Sequence, residues 1–505
     1  MTQTAGSAGQ NAGGTAAAAG VLAATCVSTL VVNANTSAVT ILLPAISEDT
    51  GSSLTTLQWA VTGYSLVGAA VIVTAGALGD IFGRRKIFVA GLVLFAASCI
   101  MIALAQSGGM VIAGRMVQGA AGSTILACGL SLLSAASSGA AQMKAVSLWA
   151  AASAVGAAAG PLVGGLVVDS AGWQGLFWID CVIAALCIPV TLSQVAESRD
   201  PTRSRSIDVG GTVLIAAILA PFVLAITNGS GWGWLSAKTL VTLGISVAAL
   251  IGFVVLEQRV PAPLVDLAML RNKLLMGSSV AILLCAGCIN GIMYAASLYF
   301  QNPNGLGMSP LQAGVATLPA AAGIVATAPA VTPLAKRFGS RTVIAVGFAL
   351  ATAGFVILGF VHGSWAYAAF VGPLIVVAVG LGLANNPSSS IATACVPPEQ
   401  VGAASGISNM GRYVGAAVLT AVTAAFFDAG TSKHGGGTGT QARDALASGF
   451  AHAAIGLAVF CGLGVVLAEL VGRHRQTQSG PGHYAAAAAA TSHTVPTTPV
   501  VDVHT

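Results

Sequence analysis

Long apolar runs, each relieved by only a few polar residues, recur from about residue 20 to residue 471. A helix that crosses a bilayer's hydrocarbon core needs about 20 such residues. Six runs of that length fall near 20–46, 58–79, 87–106, 109–133, 144–168 and 175–195. A polar, basic stretch with Glu197, Arg199, Asp200, Arg203, Arg205 and Asp208 follows, then two more runs near 209–228 and 236–256. A second charged linker, Glu257 to Lys273, precedes the last six runs, near 274–300, 311–333, 342–361, 366–390, 404–427 and 449–471. The pattern predicts an all-α membrane protein with fourteen transmembrane helices. The ends lack such runs: residues 1–18 are rich in Gly, Ala, Ser, Thr and Gln, and the tail from about 476 in Ala, Thr and Pro. Both are expected to be disordered.

The distribution of basic residues tests this count. With the N-terminus in the cytoplasm and each run crossing once, Arg84, Arg85, Lys86, Lys144, Arg199, Arg203, Arg205, Arg259, Arg271, Lys273, Lys336, Arg337, Arg341, Arg473 and Arg475 all fall inside. Only Lys238, Lys433 and Arg443 fall outside, while Arg115 and Arg412 lie within runs. Such a bias toward the cytoplasmic side is what sets the orientation of membrane helices, and it places both termini in the cytoplasm.

An internal repeat gives a second test. Gly76 to Gly91 reads GALGDIFGRRKIFVAG and Thr332 to Gly347 reads TPLAKRFGSRTVIAVG. Leu78, Phe82, Gly83, Arg85 and Gly91 match Leu334, Phe338, Gly339, Arg341 and Gly347, and Leu57-Gln58 upstream is echoed by Leu311-Gln312. The copies follow the second and tenth runs, in parallel orientation and eight runs apart. Two six-helix halves alone would put them six apart, so the reading is 6 + 2 + 6. That divides the chain into a tail (1–18), an N-terminal lobe (19–197), two inserted helices (198–258), a C-terminal lobe (259–475) and a second tail (476–505). Parallel repeats of this kind build known transporters.

Composition narrows the classes. Of 505 residues, 55% are hydrophobic and 7% are charged, against about 25% charged in a soluble domain. The net charge of +5 sits in short clusters between runs and does not point to nucleic acid. The 63 glycines suit closely packed membrane helices. All nine cysteines (Cys26, Cys99, Cys128, Cys181, Cys187, Cys285, Cys288, Cys395 and Cys461) lie in or beside apolar runs. No disulfide framework follows from them, and the C-x-x-C of Cys285 and Cys288 reads as small-residue packing. No metal site or cofactor is expected. The absence of a Gly-Lys dipeptide excludes a P-loop, and neither H-E-x-x-H nor G-x-S-x-G occurs. His434-Gly435-Gly436-Gly437 mimics an oxyanion loop, but reads as a flexible outer loop.

The segment Gly76-Ala-Leu-Gly-Asp80-Ile-Phe-Gly83-Arg84-Arg85-Lys86 resembles the signature cytoplasmic loop of the major facilitator superfamily. Its glycines permit a tight turn, and Asp80 can act on a helix N-terminus. Arg115-Met-Val-Gln118-Gly119 resembles the R-x-x-Q-G motif of that superfamily, and a charge inside an apolar helix is functional by default. Gly156-x-x-x-Gly160-Pro161-x-x-Gly164-Gly165 resembles the antiporter motif of its drug-exporting members, with Pro161 bending the helix. Leu57-Gln58-Trp59, Tyr64, Gly172-Trp173 to Ile179-Asp180, Ser309-Pro310-Leu311-Gln312-Ala313-Gly314 and Ala404-Ser405-Gly406 to Arg412 are similar to the fourteen-helix drug:proton antiporter family. The resemblance covers roughly 20–475 and departs from the family twice. Asn35 stands where many members carry a first-helix Asp, with Thr40 where a second Asn would be. Asp180 stands where the family often has Asn.

The resemblance implies two lobes rocking about a mid-membrane cavity, and a secondary active exporter of multiple drugs, antibiotics or lipophilic metabolites driven by proton antiport. It would act as a monomer in the bacterial cytoplasmic membrane, with a small lipophilic or amphiphilic substrate and protons as its partners. A nutrient uptake carrier of the same fold and a membrane scaffold or sensor are the rival readings; the antiporter motif opposes the first, and the lack of a soluble domain the second. Gly76, Asp80, Gly83, Arg84 and Arg85 are expected to serve conformational switching, Asp80 meeting the helix that opens near Ala404. Candidates to line the cavity are the polar residues inside runs: Asn33, Asn35, Thr36, Gln58, Tyr64, Asn290, Tyr294, Asn385, Asn386 and Asn409. Each of these can equally serve helix–helix hydrogen bonding. Candidates for proton coupling are Arg115, Asp180 and Arg412. Asp180 is the acid set inside a run at the depth of Arg115. The family's peripheral sixth helix favours instead a water-exposed, silent Asp180.

Overall fold

The computed structural model describes residues 5–136, 139–199, 208–260, 263, 265, 267–396, 401–432 and 439–473. They form fourteen long helices and, among the described residues, no strand. In the first half these are α1 (Ala5–Thr50), α2 (Leu54–Phe82), α3 (Arg84–Ala103), α4 (Gly108–Ala136), α5 (Gly139–Ala171) and α6 (Gln174–Gln194). The next two are α7 (Val209–Trp232) and α8 (Ala237–Glu257). The second half holds α9 (Lys273–Gln301), α10 (Pro310–Phe338), α11 (Ser340–Leu358), α12 (Tyr367–Ala394), α13 (Val401–Ser432) and α14 (Thr440–Arg473). All fourteen are long and apolar enough to cross a membrane, and each coincides with one expected run. The main departure is α1, which starts at Ala5 where composition led to an expectation of disorder through residue 18. Ala16 to Ala19 are the strongest of helix formers and carry the helix back beyond its apolar part. The tail from 476 and the loop residues Arg203, Arg205, Lys433 and His434 to Gly437 lie outside the described residues.

Local chemistry sets the ends of these helices. Ser53, Ser236 and Ser309 cap α2, α8 and α10 by accepting the backbone N–H three residues on, which satisfies donors a helix start leaves open. Ser309 and Gln312 form a reciprocal capping box. The two copies of the repeat end alike. Gly83 and Gly339 sit at φ 116° and 83°, a region side chains rarely adopt, and each N–H closes on the carbonyl four residues back. That is why the repeat keeps glycine there.

The helix neighbours show the symmetry the repeat implies. Within the first six, α1 packs on α5, α4 and α6, α2 on α4, and α3 on α4 and α6. Within the last six, α9 packs on α13, α12 and α14, α10 on α12, and α11 on α12 and α14. Each pair in one set becomes a pair in the other when eight is added to both numbers, the same offset as in the sequence. Between the halves, α5 meets α10, α2 meets α13 and α1 meets α9. The arrangement is 6 + 2 + 6. Of the inserted pair, α7 lies in the groove between α2 and α13, where Ile215, Leu219 and Val223 join a cluster with Leu66, Ala69, Ala70, Ile407 and Ala417. α8 packs on α7, through Ser246 Oγ donating to the Ile218 carbonyl at 2.7 Å. Its other faces carry exposed Ile245, Val247 and Ile251, as expected of a surface that lipid covers.

Candidate functional site

The antiporter-like motif works by backbone approach. A side chain at Gly156 would run into the Leu30 carbonyl, and one at Gly160 into the Ala34 carbonyl. Gly164 meets Ala38 and Leu42 of the same helix. The three glycines, four residues apart, therefore form one face of α5 seated on α1. Gly165 and Pro161 face the other half instead. A side chain at Gly165 would meet Pro310 and Leu311 of α10, and the Pro161 carbonyl sits against Gly314. In the second half, Gly415 and Gly411 approach the Leu283 and Ser279 carbonyls of α9 in the same manner.

With α1 drawn close, the charged centre assembles on it. Arg115 of α4 is fully buried, as are Asn35 of α1 and Gln118 of α4. Arg115 Nη1 donates to Asn35 Oδ1 at 2.5 Å and to Gln118 Oε1, and Nε donates to the Ala60 carbonyl at 3.1 Å. Asn35 Nδ2 in turn donates to Asp180 Oδ2 of α6 at 2.6 Å. The amide orientation is dictated by its neighbours: guanidinium is donor only and an ionised carboxylate acceptor only, so Oδ1 must face Arg115 and Nδ2 Asp180. A continuous wire thus runs from cation through amide to acid. Asp180 is not at a wet interface; it is 4% exposed. The reason lies in α6 itself, whose buried positions Leu176, Phe177, Asp180, Ala184, Cys187 and Thr191 follow the helical period. Trp178, Ile179, Val182 and Leu186 take the outer face. A peripheral helix can therefore still aim one residue inward.

The wire also touches the other half. The Arg115 guanidinium lies 4.3 Å from the Tyr64 ring centroid, a cation–π contact, and Gly119 abuts the Tyr64 backbone. Tyr64 then meets Tyr413 of α13, ring centroids 6.4 Å apart. Next along α13 is Arg412, which donates to Ser389 Oγ of α12 at 3.5 Å. Arg412 and Asp180 thus lie on opposite sides of the seam.

The remaining candidates are scattered. Asn33, Asn290, Asn409 and Thr36 donate to carbonyls one turn back on their own helices. Gln58 is buried with neither amide atom bonded, and Asn385 Oδ1 is likewise without a partner. Tyr294 is buried, and the Asn386 carbonyl accepts from Ser390. Asp80, near the end of α2, pairs at 3.0 Å with Arg84, the first residue of α3. Sequence reasoning missed the acids that tie down the signature loop and its repeat: Arg85 meets Glu197 beyond α6, and Arg341 meets Glu469 near the end of α14. The matched Arg85 and Arg341 were the available signal, since a repeat implies like partners. Also unforeseen was Cys288 against Cys461, with sulfurs 3.5 Å apart and both thiols free.

At the signature-loop end, the Arg84 N–H donates to the Ser198 carbonyl at 2.8 Å. At the opposite end the halves are fastened together. Ser297 Oγ and Gln301 Nε2 of α9 donate to the Thr40 and Ile41 carbonyls at 2.5 and 3.1 Å, and Ser309 Oγ donates to Asp169 Oδ2 at 3.1 Å.

Residues 25–420 match the family model described as Major Facilitator Superfamily. Among similar proteins, the chain is 31% identical to the tetracenomycin C resistance and export protein of Streptomyces glaucescens, over 79% of this chain and 74% of that one. It is 31% identical to the multidrug resistance protein Stp of Mycobacterium tuberculosis, over 78% and 74%. It is 30% identical to the cephamycin export protein CmcT of Amycolatopsis lactamdurans, over 93% and 96%.

Proposed function

The chain belongs to the major facilitator superfamily, and from that premise we propose that it is an efflux transporter that expels small lipophilic or amphiphilic compounds, antibiotics among them, in exchange for protons. The names of these three relatives, two export proteins and a multidrug resistance protein, support the direction and the substrate type. The observation that carries the coupling is the buried wire from Arg115 through Asn35 to Asp180. Asp180 is a carboxyl that can take up a proton, and its charge offsets that of Arg115 through the amide. Protonation weakens the acceptor that fixes Asn35 and leaves Arg115 less compensated, which changes the balance at Tyr64 and hence at the seam with α13. A wire with an acid at one end and, at the other, an arginine that reaches the moving interface through Tyr64 is what antiport requires.

In this reading the moving bodies are the lobes 19–197 and 259–475, joined by the helices of 198–258, and the protein acts as a monomer. Both termini and the loop at Asp80 face the cytoplasm, so the fastened end is the outer one and the structure is closed to the outside. Asp80 serves switching, so Asp80→Asn slows export while binding stays nearly unchanged. The test is expression in a bacterium lacking its own pumps, with accumulation of a fluorescent amphiphile followed before and after an uncoupler. Lower accumulation that rises on uncoupling supports the proposal. Higher accumulation indicates uptake, and lower accumulation insensitive to the uncoupler sinks the proton coupling.

A further inference from the structure

The two arginines inside the membrane helices are treated differently by the fold. Arg115 has an amide, a carbonyl, an aromatic face and, through Asn35, a carboxylate. Among the described residues Arg412 has a side-chain hydrogen bond to Ser389 alone, at 3.5 Å, although a guanidinium carries five N–H donors. It stands about 17 Å into α13 at 1.5 Å per residue, near the middle of a bilayer core about 30 Å thick. No acid comes to it among the described residues. Asp428 lies more than four turns further along α13, Asp444 is near the start of α14, and Glu469 is taken by Arg341. On α12, one turn before Ser389, Asn385 Oδ1 is buried without a partner. Neither Arg412 nor Ser389 is fully buried, so a molecule between the halves can reach them. A cation at this depth is costly and calls for a counter-charge, and the described residues supply none.

We propose that the counter-charge is part of the cargo: Arg412, flanked by Ser389 and Tyr413, binds a single acidic group of the substrate, a carboxylate, phenolate or enolate, and the preferred substrates are monoanionic amphiphiles. This rests on the reading of the chain as an exporter and names what it selects. The acidic group meets a planar, permanently charged donor fork suited to two parallel hydrogen bonds. The apolar part of the substrate lies against the Ala- and Gly-rich walls of the seam. A cationic amphiphile is disfavoured by the same charge.

The probes are three molecules of one skeleton: pyrenebutyrate, pyrenebutyramide and pyrenebutylamine. Binding is measured by fluorescence to the full-length protein in nanodiscs of neutral lipid, so that no anionic headgroup competes, and without a pH gradient. The wild type is expected to bind the acid at least tenfold more tightly than the amide, and the amine most weakly. Arg412→Gln should bring acid and amide within about twofold, chiefly by weakening the acid, and Arg412→Lys should keep a several-fold preference. An acid bound no better than its amide, or a preference that survives Arg412→Gln, overturns the proposal. Should Arg412→Gln fail to fold, the wild-type series and Arg412→Lys decide it. If the acid preference tracks Arg412 but no probe is expelled in the efflux assay, the export reading fails and this one stands. If probes are expelled without regard to charge and bind equally, this one fails alone. Addition of anionic lipid that displaces pyrenebutyrate, with neutral-lipid binding already dependent on Arg412, marks headgroups as competitors for the same site and supports it. Displacement with no such dependence assigns the acid's binding elsewhere and counts against it.

Discussion

Asp180 and Asn35 lie 145 positions apart in the chain and 2.6 Å apart in space. By its resemblance to the drug:proton antiporters, the sequence has an amide where many of them carry an acid, and an acid where they often carry an amide. Read separately, the first removes a proton site and the second adds a stray charge. Placed in contact they are one exchange across one hydrogen bond, with the carboxyl moved from α1 to α6. Two predictions follow from the geometry. Asp180→Asn should abolish substrate-dependent proton flux in proteoliposomes under an imposed pH gradient, while substrate binding changes by no more than a few-fold. Persistence of flux at the wild-type rate removes Asp180 from the mechanism. The double exchange, Asn35→Asp with Asp180→Asn, returns one acid and one amide to the same pair and puts the acid directly against Arg115. It should recover at least a tenth of the wild-type flux, whereas Asn35→Asp alone, which crowds two acids beside one arginine, should not. Equal failure of single and double variants would show that the pair is not interchangeable. None of this could be read from either residue alone, because the contact depends on which face of α6 turns inward, and the buried Leu176 and Phe177 do not differ in type from the exposed Ile179 and Val182.

At the scale of the helix, most of the architecture is legible. Length and apolarity fix the fourteen elements, since a bilayer admits few alternatives for such runs. The repeat Gly83/Gly339 predicts two like turns, and both appear. Legibility ends where polar groups choose partners. Asn33, Asn290 and Asn409 satisfy themselves on their own helices, and nothing in spacing separates them from Asn35. The glycines of α5 were readable as a packing face, though not which helix each would meet. This gives a prediction at the same scale. Gly160→Leu should force α1 and α5 apart, because the added carbon runs into the Ala34 carbonyl and Ser37 Oγ. Overpacking of this kind costs about 1–3 kcal/mol or more, and should appear as a clear fall in the melting temperature in detergent. Gly462→Ala on α14 is the control: nothing lies near its added carbon, and removing a helix-interior glycine should leave stability equal or about 0.5–1 kcal/mol higher. Equal melting temperatures for the two variants would contradict the close approach of α1 and α5.

For the whole molecule, the question is how the two halves can be fastened at one end and still part there during a cycle. The fastening rests on small residues and few polar bonds: Gly165 against Pro310, Gly314 against the Pro161 carbonyl, and Asp169, Ser297 and Gln301 reaching across. Single hydrogen bonds of this kind contribute about 0.5–1.5 kcal/mol each, so the closed end is poised to open. Gly314 is the sharpest probe because its neighbour is backbone, which cannot rotate aside. Leucine there should prevent closure at this end without disturbing the packing inside either half, since the contact lies between them. Gly314→Leu is therefore expected to fold with nearly normal stability, to bind substrate from the outer side, and to lose export by at least tenfold. A cysteine placed at Leu311 should meanwhile become accessible to a membrane-impermeant thiol reagent in intact cells, where in the wild-type background it is shielded. Labelling that is equally slow in both backgrounds, or export that survives the leucine, would show that the halves do not need to meet at Gly314 for the cycle to turn.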